Sequence, residues 1–360
     1  MPAVTSSDGP VAVTGASGYV GSHVVIALVK RGYTVHACVR DPKNPDKTEH
    51  LLALNRGDYP GRVDLFTANL LEEGSYDTPF TDCIAVLHAG TPMAYGGANN
   101  PRQIYDGAIN GTKNVLNSVK KVGTIKRFIY TSSFAAIYHL ISSGYVYTEK
   151  DWASDNRESD PKWTPKRIDR DGEMAYAMAK VETEKMAYSI AEKDGRFDVI
   201  SVCPIAVLGP LLSRAHEKVG SWQWWVGRML AGKTCQQAWK SLWNIVDVRD
   251  VGESQVLMIQ SDVCKNGWRY ILGATDKSGE IDVLQLQAHL QKSFPQIDVG
   301  GPPEEIHQII EKYGAVYQTP LAHCDRAREE LGLETHAIED TLYETGQTLI
   351  DFGLVKPALK

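Results

Sequence analysis

Tyr176 and Lys180 stand four residues apart in Tyr176-Ala-Met-Ala-Lys180, within a stretch, Glu173–Glu192, whose pattern is helical. Residues at that spacing share a helix face, so the phenol and the ammonium come together. A neighbouring ammonium stabilises phenolate and draws a tyrosine from its ordinary pKa of about 10 towards working pH. Such a tyrosine can hand a proton to a substrate oxygen or take one back. Alone, the spacing is common and most instances are surface positions. A hydroxyl partner stands upstream, where Thr131-Ser132-Ser133 closes the apolar run Arg127–Ser132. At the carboxyl end of a buried strand a hydroxyl can hold a carbonyl oxygen and steady the alkoxide forming on it. Ser133 is assigned that role, and Ser132 a turn or cap.

A second constellation opens the chain. Val11-Ala-Val-Thr-Gly-Ala-Ser-Gly-Tyr-Val-Gly21 reads as a strand, a glycine-rich turn and a helix start. Gly15 permits the turn, Gly18 lets a pyrophosphate approach the backbone, and Gly21 allows close helix–strand packing. The helix start then offers free N–H groups and a partial positive charge to phosphate. Thr14, Ser17, Tyr19 and Val20 complete this candidate dinucleotide turn. Its partner is read at the end of the second strand, Val39-Arg40. An NAD site usually carries a carboxylate there for the ribose 2′-OH. Arg40 instead suits a 2′-phosphate, so the expected cofactor is NADP(H). Lys43 and Lys47 add positive charge, with Lys47 the expected second contact; Asp41 is expected to point elsewhere. Asn69-Leu70 after the third strand and Ala89-Gly90-Thr91 after the fourth are placed at the adenine edge and at the pyrophosphate and ribose.

The elements that must position these residues follow from hydropathy. Val11–Thr14, Thr34–Val39, Val63–Phe66, Ala85–Ala89, Arg127–Ser132 and Asp198–Cys203 read as buried strands alternating with amphipathic stretches such as Tyr19–Arg31 and Gln103–Lys121. That alternation predicts an α/β, Rossmann-type, doubly wound parallel sheet. After Pro204 the rhythm breaks, and five of the eight tryptophans (Trp222, Trp224, Trp225, Trp239, Trp243) fall between residues 211 and 243. Asn244–Val251 and Trp268–Leu272 read as strands again. The division expected is an NADP-binding domain of residues 1–203 plus 244–275, with a smaller, discontinuous substrate-binding domain of 204–243 plus 276–360.

The motifs taken together resemble the extended short-chain dehydrogenase/reductase superfamily, and within it the dihydroflavonol-4-reductase-like group. The shared stretches are T-G-x-x-G-x-x-G from Thr14, Val39-Arg-Asp-Pro42, His88-Ala-Gly-Thr-Pro-Met93, Ala108-Ile-Asn-Gly-Thr112, Lys126-Arg-Phe-Ile-Tyr-Thr-Ser-Ser133 and Asp247-Val-Arg-Asp-Val251. They run in family order over most of the first 250 residues, and the C-terminal third is only loosely similar. The resemblance implies a Ser133–Tyr176–Lys180 triad with Lys180 also anchoring the nicotinamide ribose. It implies cofactor contacts at Thr131 and along Pro204, Ile205 and Val207, and places Asn110 near a water relay. Departures stand beside it. Tyr138 replaces the asparagine that contacts the flavonoid ring in the plant enzymes, Asn69 replaces an aspartate, and Gly172–Lys180 lacks the cinnamoyl-CoA reductase motif. These speak against dihydroflavonol and cinnamoyl-CoA as the native substrate.

The reaction expected is reduction of a ketone or aldehyde, with alcohol or sterol oxidation, a nucleotide-sugar epimerase or dehydratase, and a non-catalytic NADP sensor as alternatives. Met93, Phe134, Tyr138, Trp222 and Trp225 are the candidate substrate contacts; the tryptophans serve equally well as packing between the two parts. Asp250 reads as the N-cap of the following helix. The composition, 43% hydrophobic and 23% charged over 360 residues with net charge -6, is that of a globular protein and points away from nucleic acid or an anionic membrane as partner. No apolar run spans a bilayer, no signal peptide is evident, and the six cysteines are scattered, so a reduced cytoplasmic setting is expected. The partner expected is a small carbonyl or alcohol substrate, the chain a monomer or homodimer, and no metal site is expected.

Overall fold

The computed structural model describes residues 1, 3–91, 100–138, 145–154, 168–219, 221–233, 243–273, 280–313 and 321–360. Its strands are β1 (Val11–Thr14), β2 (Thr34–Val39), β3 (Arg62–Thr67), β4 (Ala85–His88), β5 (Arg127–Thr131), β6 (Val146–Tyr147), β7 (Asp198–Pro204), β8 (Ala206–Leu208), β9 (Trp243–Asp247), β10 (Trp268–Leu272), β11 (Glu280–Ile281) and β12 (Leu321–Ala322). The helices are α1 (Tyr19–Lys30), α2 (Pro45–Leu52), α3 (Pro101–Val122), α4 (Gly172–Asp194), α5 (Ser221–Leu230), α6 (Val248–Gln260), α7 (Val283–Ser293), α8 (Glu304–Tyr313), α9 (Asp325–Leu331) and α10 (Ile338–Asp351).

Seven strands form one parallel sheet in the order β10-β7-β5-β4-β1-β2-β3. Alternation along each strand serves two cores. Val11, Val13, Leu87, Ile129 and Ile200 pack under α1 and α6. Ala12, Val86, Phe128, Tyr130 and Val199 pack under α3 and α4. A strand apolar on both faces is buried on both, which is why the central strands read as near-continuous apolar runs. The strand order reverses between β1 and β4, whose ends lie side by side, Thr14 opposite His88. In open α/β sheets the ligand crevice lies beyond the carboxyl ends at such a reversal.

A three-stranded sheet, β11-β9-β8, stands apart with its own core. Leu208, Trp243, Ile245 and Ile281 pack there against Val226 and Leu230 of α5, Leu286 and Leu290 of α7, and Leu342 and Leu349 of α10. The expected strand Asn244–Val251 is corrected: β9 ends at Asp247, whose carboxylate accepts the backbone N–H of Arg249 and caps α6. Asp250 is therefore not the cap. It lies buried in the first turn of α6 and holds His336 Nδ1 at 2.5 Å and the backbone N–H of His336 at 3.1 Å. Among the described residues no helix is long and apolar enough to cross a membrane.

Candidate active site

The crevice begins where β1 and β4 end. Thr14 Oγ lies 2.6 Å from His88 Nδ1, and the N–H of Gly90 reaches Thr14 Oγ at 3.4 Å. His88 Nε2 faces Thr112 Oγ of α3 at 3.5 Å, so one imidazole links two strands and a helix. Burial, with the Lys180 charge nearby, holds His88 down at about 3, so it is neutral at working pH.

Above this link sits the glycine turn. Gly15 has φ +67°, and a Cβ there would stand 2.6 Å from Gly90 Cα; one on Gly21 would stand 2.1 Å from the Gly15 carbonyl oxygen. The turns after β1 and β4 are thus packed backbone on backbone. Gly18 starts α1 with no side-chain cap, and the first turn of α1 carries no acidic residue. That leaves an open helix N-terminus suited to an anion. The Tyr19 side chain turns away, donating to the Gly209 carbonyl at 2.9 Å, so only its backbone faces the crevice side of the turn. Val20 and Ser17 are half-buried beside it.

At the end of β2, Arg40 is exposed and Lys47 half-buried on α2, and neither pairs with a carboxylate among the described residues. Asp41 is occupied in its own turn, accepting the Lys43 backbone N–H at 3.0 Å. Asn69 caps its own loop, accepting from Leu71 N at 3.2 Å and donating to Glu72. Leu70 packs beside Gly90 and Gly111. This loop is held from below by Asn114 of α3, which accepts from Gly74 N at 3.0 Å and donates to the Leu70 carbonyl at 3.2 Å. Asn110 faces outward and is exposed. Asn114 was not singled out from the sequence, where an asparagine within a helix carries no signal of burial.

Tyr176 and Lys180 share one face of α4 and Lys180 reaches the end of β5, with Ser133 two residues beyond that strand end. Helix α4 starts at Asp171, whose carboxylate accepts the N–H groups of Glu173 and Met174, and Tyr176 follows in the next turn. Lys180 is buried to 3% exposure. Its Nζ donates to the Thr131 carbonyl at 2.7 Å and to Thr91 Oγ at 2.8 Å, and stands 5.7 Å from the centre of the Tyr176 ring. Burial draws its pKa down to about 8, opposed by the Glu184 charge. Ser133 is half-buried and caps a 3-10 turn, Phe134–Ala136, by accepting the Ala135 N–H at 3.2 Å. That bond uses an oxygen lone pair and leaves the hydroxyl hydrogen to donate. Ser132 is buried and donates to Glu184 at 2.5 Å, a structural role.

The aromatic residues named as candidate substrate contacts are unevenly exposed. Tyr138 is 41% exposed and borders Phe134 and Tyr147, at ring separations of 6.3 and 5.9 Å. Phe134 is buried in the core beneath with Cys203 and Ile271, so it backs this wall. Trp222 packs on Trp243 at 4.9 Å and Trp225 on Trp224 at 4.6 Å; both lean on the core of the second sheet, which is the packing alternative. Pro204 ends β7, Ile205 N–H bonds the Leu272 carbonyl at 2.9 Å, and Val207 is half-buried in β8 with its carbonyl held by Gln223. Met93 and Trp239 lie outside the described residues. Among the described residues no His, Cys, Asp and Glu group has metal-binding geometry.

Residues 11–273 match the model of the NAD dependent epimerase/dehydratase family. The chain is 37% identical over 346 residues to a cinnamoyl-CoA reductase of Medicago truncatula, covering 94% of this chain and 95% of that one. It is 36% identical over 297 residues to a dihydroflavonol 4-reductase of Hordeum vulgare, covering 81% and 77%. Yeast methylglyoxal/isovaleraldehyde reductase, solved with NADPH, has the same fold, with a TM-score of 0.76 at 22% identity over 96% of this chain and 99% of that one. The chain thus belongs to the NAD-dependent epimerase/dehydratase family and is an oxidoreductase of the extended short-chain dehydrogenase/reductase type.

Proposed function

We propose that the chain is an NADPH-dependent reductase of ketones or aldehydes whose substrate is partly apolar or aromatic. The observation carrying this reading is the convergence at one sheet edge of Lys180 Nζ on the Thr131 carbonyl, with Tyr176 on the same helix face and Ser133 two residues beyond Thr131. In this reading Ser133 donates its free hydroxyl hydrogen to the substrate carbonyl oxygen and stabilises the charge gathering there. Tyr176 gives that oxygen its proton, and Lys180 lowers the cost of the phenolate left behind. The bound dinucleotide supplies the hydride.

The residues fit an NADP-type dinucleotide. The close-packed glycines of the β1 and β4 turns and the uncapped start of α1 suit a pyrophosphate. Arg40 and Lys47 are cations without carboxylate partners where a 2′-phosphate would lie. An epimerase or dehydratase reading, which goes with NAD, is disfavoured by that same pair. The exposed Tyr138 ring, bordered by Phe134 in the turn that Ser133 caps, supports a planar or apolar group on the substrate. It also speaks against a plant-type flavonoid contact, since an asparagine would offer a hydrogen bond there and this ring offers a face.

Tyr176→Phe tests the chemistry. Turnover in an NADPH-consumption screen of aromatic ketones, α-keto aldehydes and dihydroflavonols is expected to fall by about 10²- to 10⁴-fold, the usual worth of a general acid. NADPH binding, followed by fluorescence, is expected to persist. Unchanged turnover would remove Tyr176 from the mechanism.

A further inference from the structure

Glu184 lies one helical turn beyond Lys180 on α4 and is fully buried. Three side chains converge on its carboxylate through four donor atoms: Ser132 Oγ at 2.5 Å, Tyr188 OH at 2.8 Å, and Arg269 Nε at 2.6 Å with Nη2 at 3.4 Å. Arg269, on β10, is itself buried, and its other arm reaches the backbone carbonyls of Asp151 at 2.6 Å and Glu149 at 3.2 Å. Its guanidinium lies 3.7 Å from the centre of the Trp152 ring. The Glu149 carboxylate returns to the Ile271 N–H of β10 at 3.2 Å, and Ala153 N–H bonds the Ala136 carbonyl of the serine turn at 2.9 Å. One ion pair therefore joins the tyrosine helix, the strand end carrying Ser132 and Ser133, the last strand of the sheet and the segment that returns beside the serine turn.

A buried charge pair is an expensive way to hold a helix. Replacing such a pair with packed apolar groups is often neutral or stabilising, so its presence is weak evidence for a stability role. What an apolar contact could not supply is a negative charge one turn from a buried ammonium. Lys180 is faced by Tyr176 and Glu184 from its own helix, by the neutral His88 from β4, by the Tyr130 ring at 5.1 Å from β5, and by Cys203 from β7, whose thiol burial pushes to about 12 and so leaves uncharged. Glu184 is thus the charged anion among these neighbours.

We infer that Glu184, locked by Arg269, is a positioning residue for the reaction: it fixes Ser133 relative to Tyr176 and Lys180 and supplies the carboxylate charge that Lys180 works against. This rests on the triad reading proposed above. The ion pair has a consequence that simple bracing does not. Without the carboxylate the ammonium loses its stabilising partner, so Lys180 gives up its proton at lower pH.

The test compares kcat–pH profiles and NADPH dissociation constants of the wild type, Glu184→Gln and the double variant Glu184→Gln/Arg269→Met. The double variant leaves no unpaired buried charge, so it carries the test if the single one does not fold. The alkaline fall-off of kcat is expected to move down by about one pH unit in Glu184→Gln, the size of shift that a nearby charge imposes, and by less in the double variant, which also removes the Arg269 cation behind the carboxylate. kcat is expected to drop by at least about tenfold while NADPH affinity stays within about threefold, because the glycine turn is a separate site. Profiles that superimpose on the wild type, with activity lost only in proportion to unfolded protein, would overturn the inference. Tyr176→Phe is run alongside. If it keeps turnover, the triad reading falls first; if it is inactive and the glutamate variants keep the wild-type profile, the inference alone falls.

Discussion

Lys180 shows how much one side chain is asked to do. An ammonium at 3% exposure with two hydrogen bonds, to a backbone carbonyl and to Thr91, titrates at about 8 rather than 10.5. The folded chain therefore binds fewer protons than the unfolded chain between those values. The cost of burying the charge is fully present below pH 8 and is withdrawn as pH rises towards 10.5. Urea midpoints for the wild type are expected to gain, relative to Lys180→Met, as pH rises from 8 to 10; parallel curves would show that the residue does not titrate there. At the end of β2 Arg40 stands exposed, with Lys47 half-buried on α2. Arg40→Ala is expected to weaken NADPH by about 10- to 100-fold, the worth of a charge-assisted hydrogen bond, and NADH by much less. Equal loss of both in paired titrations would contradict a 2′-phosphate role.

The elements explain why part of the site was legible in sequence and part was not. Strand and helix extents from Val11 to Pro204 follow the apolar periodicity closely, because a parallel sheet covered on both faces leaves little freedom in residue type. Ser133, Tyr176 and Lys180 were legible as spacing at a strand end and on a helix face. Asp247 and Asp250 were not separable, since both are aspartates at a helix start and only the backbone decides which one caps. Glu184 and Arg269 were illegible for a different reason: they lie 85 positions apart, and nothing local marks their pairing. The glycine turn yields a sharper test. A Cβ at Gly18 would find its nearest neighbour, the Gly15 carbonyl oxygen, at 3.2 Å, whereas one at Gly21 would meet that same atom at 2.1 Å. Gly21→Ala is expected to cost about 1–3 kcal/mol, as overpacking does, read from urea denaturation. Gly18→Ala is expected to keep most of the stability and lose NADPH affinity. The reverse ranking would misplace the phosphate.

Over the whole molecule, four imidazoles shielded from water are expected to shape the response to acid. His88 and His216 are held at about 3, His23 and His50 at about 4, each chiefly by burial. His50 and His216 share Ser22 Oγ, at 2.8 and 3.4 Å, and so tie α2 and the segment after β8 to α1. All four stay neutral in the fold while an unfolded chain takes up protons below about 6.5. Stability is expected to fall steeply from pH 6.5 towards 4, and His50→Gln with His216→Gln to flatten the slope. A slope unchanged by those variants would place the acid sensitivity elsewhere.

The sheet order also carries a consequence for synthesis. β7 is fully buried between β5 and β10, yet β10 follows it in the chain only after β8, α5, β9 and α6. A nascent chain that has emerged only as far as Pro204 would present seven apolar-flanked residues as a bare edge, the kind of surface that pairs with other chains. The larger sheet cannot close until the ribosome has passed Leu272. Any attempt to express the front part alone as a cofactor-binding fragment is thus expected to yield aggregates, whereas a cut after β10 leaves the sheet complete.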